Sequence, residues 1–174
     1  MRTWILGIDP GCPGAVMLRA PVVGVHTVQE GPWRERVYAS GRKRKQVHAP
    51  ALHLLLRNFR ALDPDARHVA FIEDVHSMPS DGNVQAFAFG RSVQAWEQAA
   101  EIEGWEILLV TPQVWQRRVP GISGSGKARK LSYHAAALAR WPEHRDVLVG
   151  PRDGARLDPA AALWIADYGA SLLH

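Results

Sequence analysis

Thr3 to Asp9 (TWILGID) is a nearly continuous apolar run that stops on a carboxylate and the turn pair Pro10-Gly11. A run of this shape predicts a strand covered on both faces. Gly11 to Gly14 (GCPG) reads as a turn and Ala15 to Arg19 (AVMLR) as a second strand. Ala20-Pro21 breaks the chain before Val22 to Val28, whose β-branched residues and partial alternation predict a third strand. Three short strands with tight connections predict an antiparallel meander. Gly31 to Gln46 is polar, contains Arg42-Lys43-Arg44-Lys45, and predicts an exposed loop.

Ala49 to Leu62 spaces Leu52, Leu55, Leu56 and Phe59 along one helical face and ends at Asp63-Pro64. His68 to Glu73 (HVAFIE) predicts another buried strand, and Ser77 to Asn83 a loop. A helix over Val84 to Glu103 closes on Gly104, where left-handed backbone is cheap for glycine. Trp105 to Val110 predicts a strand, and Thr111-Pro112 opens a short helix. Pro120 to Gly126 reads as a loop, Ala128 to Trp141 as a helix and Pro142 to Leu157 as irregular. The last helix is expected to start at Asp158-Pro159, a favoured pair for a helix N-terminus. The order βββ-α-β-α-β-α-α predicts an α/β fold. Its mixed five-stranded sheet joins the three-strand meander to two parallel strands, with helices on the flanks. No repeat or compositional break divides residues 1–174, so one domain is expected.

Composition narrows the classes. Apolar residues at 47% and charged residues at 22% exclude global disorder. The longest apolar runs, ILLV and AAALWIA, fall well short of the ~18 residues of a membrane span. The N-terminus lacks a secretory pattern, and a cytoplasmic location is expected. Cys12 is the single cysteine, which excludes an internal disulfide and a cysteine-rich zinc site. With 21 Lys+Arg against 17 Asp+Glu, the net charge of +4 suggests a polyanionic partner.

The carboxylates carry the chemical signal. Asp9 and Glu73 each end an apolar strand, and side chains at strand C-termini meet at the functional edge of an α/β sheet. Adjacent carboxylates repel unless a cation neutralises them, and Mg²⁺ or Mn²⁺ is the usual one. Each alone could simply end a strand, and Asp158 could simply cap its helix.

The stretches ILGIDPG (Ile5 to Gly11) and FIEDVHSMP (Phe71 to Pro79) resemble motifs of RuvC-type Holliday junction resolvases, the second being closest to phage-borne members. AFGRSVQAW (Ala88 to Trp96), LVTPQVWQRRV (Leu109 to Val119) and LDPAAALWIADYG (Leu157 to Gly169) fit the same family in the same order. The resemblance implies a ribonuclease H-like fold and a homodimer that nicks four-way branched DNA with two divalent ions, Mg²⁺ or Mn²⁺, per site. A phage-encoded chain would act in the cytoplasm of its bacterial host.

Residue by residue, the resemblance implies that Asp9, Glu73 and Asp158 are metal ligands and that Lys127 lies near the scissile phosphate. A second family lysine falls at Gln116, so its role is absent or passes to Arg117 or Arg118. The family's fourth acid falls at Ala161. The chain then either works with three carboxylates or is a variant inactivated at that position, and the rival reading is a catalytically inactive junction-binding protein.

Arg42, Lys43, Arg44 and Lys45, with Arg117, Arg118, Arg129 and Lys130, are expected to form a basic rim that holds backbone phosphates. His76 and Met78 fall where a resolvase could probe the open junction, or where a loop could simply pack. Gly121 to Lys127 fits GxxxxGK, but Ala128 replaces the Ser/Thr that holds Mg²⁺, so no nucleotide cofactor is expected. An ATPase of the actin/hexokinase type is a third reading, weakened by a chain too short for the duplicated domain. Trp4, Trp96, Trp105 and Trp164 sit on apolar faces and predict core, and Cys12 predicts a buried thiol.

Overall fold

A computed structural model of the chain describes residues 2–21, 24–75 and 82–173. The predicted meander is present as β1 (Thr3–Asp9), β2 (Ala15–Ala20) and β3 (Gly24–Glu30). Next come a hairpin of β4 (Trp33–Val37) and β5 (Lys43–Val47), then α1 (Ala49–Ala61), β6 (Arg67–Glu73) and α2 (Asn83–Ile102). The chain continues through β7 (Glu106–Val110), α3 (Pro112–Gln116), α4 (Gly126–Arg140), α5 (Arg145–Leu148) and α6 (Leu157–Leu173). The main sheet has the order β3-β2-β1-β6-β7, antiparallel across β1–β2–β3 and parallel across β1–β6–β7. This is the mixed five-stranded sheet expected of the sequence.

Strand alternation divides the core into two layers. Ile5 on β1, Met17 on β2 and Val69 and Phe71 on β6 pack against α6 and α4. Trp4, Leu6 and Ile8, with Val16, Ala70 and Ile72, pack against α1 and α2 on the other face. Helix α6 lies so close to β1 that a Cβ at Gly7 would strike the Ala162 carbonyl oxygen, and one at Gly169 would strike the Phe71 ring. Glycine at these points, with Ala160, Ala161 and Ala162 on the helix, permits the approach. No described helix is long and apolar enough to cross a membrane.

Four expectations change. Residues 31–46 hold a two-stranded antiparallel sheet rather than a loop, turned at Gly41, whose φ is +77°. One face carries Trp33, Val37 and Val47 but is interrupted by Glu35, Lys43 and Lys45, and the other is wholly polar, so alternation gave only a broken signal. Residues 142–157 are largely short helix, with 3₁₀ turns at Pro142–His144 and Pro151–Asp153 around α5. Helix α6 starts one residue early, so Asp158 lies within its first turn and does not cap it. Cys12 is exposed rather than buried, because it sits at the crest of the β1–β2 turn. The four tryptophans expected in the core are buried there, and Trp115 and Trp141 join them.

Candidate active site

Asp9 has the strand parity of Ile5, and Glu73 that of Val69 and Phe71, so both carboxylates project to the α6 side of adjacent parallel strands. Asp158 comes down from the first turn of α6. A Cβ placed on Gly11 would lie 3.4 Å from Asp9 Oδ1 and 3.5 Å from Asp158 Oδ2, so both carboxylates border this glycine. The Gly11 N–H donates to Asp9 Oδ1 at 3.1 Å, and the Gly14 N–H bonds Asp158. Glu73 is only 8% exposed, and the indole Nε1–H of Trp115 donates to its Oε1 at 2.8 Å. The turn between β1 and β2 therefore orients two of the acids, and α3 orients the third.

Burial is the largest influence on all three and raises each above the ordinary carboxylate range, Asp9 furthest. The charges of Asp158 and Glu73 push Asp9 higher still, while the Gly11 N–H and Lys130 pull it back. The Trp115 bond and Lys130 lower Glu73, and Asp158 raises it. Lys130 and the Gly14 N–H lower Asp158, and Glu30 raises it. The Tyr133 hydroxyl is driven up by burial and then by the three carboxylates it faces. Among the described residues none of the three acids forms a salt bridge. Lys130 is the cation whose charge bears on all of them.

Three carboxylates, with no nitrogen or sulfur donor grouped with them among the described residues, suit a hard divalent cation. Among the described residues no three such groups close on one common ion. Mg²⁺ fits that arrangement, because it is commonly held by one or two carboxylates and completed by water and phosphate. Asp9, Glu73 and Asp158 could therefore hold Mg²⁺ or Mn²⁺ one or two carboxylates at a time.

Ala161 lies on α6 one turn beyond Asp158, only 2% exposed and packed in the core. Lys127 is exposed in the first turn of α4, and Lys130 follows one turn later. Arg129 donates to the Gly124 carbonyl at 3.0 Å and to Gln116 Oε1 at 3.4 Å, which ties α4 to α3. Arg117 and Arg118 are exposed beyond α3. Arg42 lies in the hairpin turn, Lys43 pairs with Glu35 at 3.2 Å, and Lys45 sits 4.2 Å over the Trp33 ring. The rim is thus two basic groups: α3–α4 is packed on the α6 face, and the hairpin joins the opposite face through Val47. His76 and Met78 lie outside the described residues. Glu30, Trp115 and Tyr133 went unmarked in the sequence, because their relation to the acids depends on contacts between distant elements.

No protein-family model matches the chain, and no curated protein matches it. Solved structures do match. RuvC of T. thermophilus in complex with a Holliday junction substrate aligns over 98% of this chain and 94% of that chain, with a TM-score of 0.55 and 15% identity. A further Thermus thermophilus RuvC structure aligns over 96% of this chain and 92% of that one, with a TM-score of 0.47 and 15% identity. At 15% identity this likeness shows the fold alone, and the class it defines is a ribonuclease H-like mixed α/β sheet. Within that class, the chain has the RuvC architecture.

Proposed function

We propose that the chain is a structure-selective endonuclease. It resolves four-way DNA junctions by paired nicking, as one nuclease domain over residues 1–174 acting as a homodimer in the cytoplasm. The observation that carries this reading is the gathering of Asp9, Glu73 and Asp158, all raised by burial, at one sheet edge. The shared architecture with a RuvC solved on a junction supports the substrate class. A two-fold dimer suits a substrate with two symmetric strands to cut. The phage-borne branch rests on the FIEDVHSMP stretch alone.

Divalent ions held by Asp9, Glu73 and Asp158 would activate water for in-line attack and neutralise charge on the phosphate, leaving 5′-phosphate and 3′-hydroxyl ends. The chain's own groups prepare that site. The Gly11 and Gly14 N–H groups and the Trp115 indole fix the three carboxylates in place. Lys130, with Lys127, adds positive charge for the phosphate. Arg42, Lys43, Arg44, Lys45, Arg117, Arg118 and Arg129 hold backbone phosphates and position the arms. By the resemblance, His76 with Met78 would probe the junction's open centre, the other reading being a pair that packs a loop.

Ala161 favours a second reading, a junction binder impaired in cleavage. Nicking of a synthetic four-way junction with Mg²⁺ or Mn²⁺ separates the two. The nuclease reading expects paired nicks that Asp9→Asn abolishes. A binder shifts the junction without cutting it, and Ala161→Asp then restores cleavage. Unchanged cleavage in Ala161→Asp would sink the idea that this position is impaired.

A further inference from the structure

The hairpin and α2 enclose a cleft of about 530 Å³ that none of the three carboxylates lines. Arg36, Arg44 and Lys45 line it from the hairpin and Arg91 from α2, together with Tyr38 and Phe89. Among the described residues no acid lines it, and Gln46, Gln85, Gln94 and Gln98 add to its polar wall. Arg36 and Arg44 stand directly opposite each other across the two strands. Like charges so paired destabilise a hairpin, and an anion between them would relieve the cost. The Oε1 atom of Gln46, also in the wall, is buried without a hydrogen-bond partner. Cations with no acid beside them among the described lining residues, aromatic rings and one unpartnered amide oxygen together match a polyanion that also offers ring faces and polar edges.

The cleft opens beside the acids. The Cys12 thiol lines its mouth, bonds the Val47 backbone and feels the charges of both Lys45 and Asp158. Ser92 Oγ–H, on the α2 wall, donates to the Gly11 carbonyl at 2.7 Å. Ring faces and polar base edges are offered by unpaired bases and not by the stacked bases of a duplex.

We propose that this cleft binds an unpaired, single-stranded stretch of DNA, with its phosphates on Arg36, Arg44 and Arg91 and its bases against Tyr38 and Phe89. The inference rests on the nuclease reading for what happens at the carboxylates. The chemistry of the ligand is set by the cleft itself.

Cys12, the chain's single cysteine, reports occupancy through its rate of alkylation by N-ethylmaleimide. The probes are a thymidine oligonucleotide, a blunt duplex of equal length and free dTMP. The oligonucleotide should slow alkylation, and the other two should not. Tyr38→Ala should weaken oligonucleotide binding about tenfold, Tyr38→Phe should restore it, and Arg91→Glu should weaken it and flatten its salt dependence. Equal protection by duplex or dTMP, or unchanged affinity in Tyr38→Ala, overturns the proposal. Asp9→Asn should keep the protection. Single-strand protection in a chain that cuts no branched DNA keeps the cleft and overturns the nuclease reading. Cleavage without protection does the reverse.

Discussion

Glu103 and the Asp9–Glu73–Asp158 group are acids set against apolar packing on opposite faces of one sheet, and the chain treats them in opposite ways. Glu103 is answered from within. Arg57 donates to it through Nε at 3.0 Å and Nη2 at 3.1 Å, and His53 Nδ1 adds a bond at 3.2 Å. The Arg57 bond is the largest influence and holds the Glu103 carboxyl below its ordinary value. At the sheet edge burial and mutual repulsion win, and Lys130 only moderates them. The first arrangement is complete and fastens α1 to α2. The second is left in deficit of positive charge, and that deficit is what a metal ion bound to DNA phosphate would fill.

The largest expected contrast is in cleavage. Asp9→Asn should lower metal-dependent nicking of a four-way junction by more than about a hundredfold, because even indirect supports of a metal site are worth ~10–100-fold. Glu103→Gln should nick at the parent rate well below its melting temperature. Equal losses in both would erase the distinction. Trp115→Phe is expected to fall between them. It keeps the ring but removes the donor to Glu73, so Mn²⁺ affinity measured by calorimetry should drop roughly tenfold. An unchanged affinity would leave Trp115 as packing alone. In metal-free buffer the sign of the stability change should separate the two groups. Asp9→Asn removes a buried repelling charge and should raise the melting temperature, whereas Glu103→Gln discards an ion pair and should lower it. A fall in both would mean that Asp9 is already satisfied.

How much of this was legible follows from which features are local. Asp9 and Glu73 could be read because each closes an apolar run, and strand parity then sends both to one face. Asp158 was readable as a residue but not as a partner. It follows the first helical residue, and its carboxylate reaches back to Gly14 and not to its own helix end. Lys130 bears on the acids where the resemblance points to Lys127, a difference of one helical turn in a helix that begins at Gly126 and not at Ala128. The bond from Trp115 to Glu73 joins residues 42 positions apart and has no local signature. The hairpin was obscured for another reason. WRERV and KRKQV put Trp33, Val37 and Val47 on one face among charges, and the Glu35–Lys43 ion pair and Lys45 over Trp33 that support the ladder exist only once the strands pair.

The smallest expected effect is the pH course of those two stability differences, and it tests the electrostatic account most directly. Glu103 has a folded value below its unfolded one, so between them the unfolded chain holds more protons. Its stabilisation is complete above the ordinary value of about 4.3 and is lost as pH falls through the depressed value. Asp9 is the reverse: its folded value lies above the unfolded one, near 3.9, so stability is lost as pH rises through the raised value. The penalty in Glu103→Gln should therefore be full at neutral pH, whereas the gain in Asp9→Asn should grow as pH rises through the raised value. Titrated downward in metal-free buffer, both melting-temperature differences should shrink toward zero from opposite sides, that of Asp9→Asn at the higher pH. Excess Mg²⁺ at neutral pH should erase or invert the Asp9→Asn gain and leave the Glu103→Gln penalty unmoved, because only the first group lacks its cation within the chain.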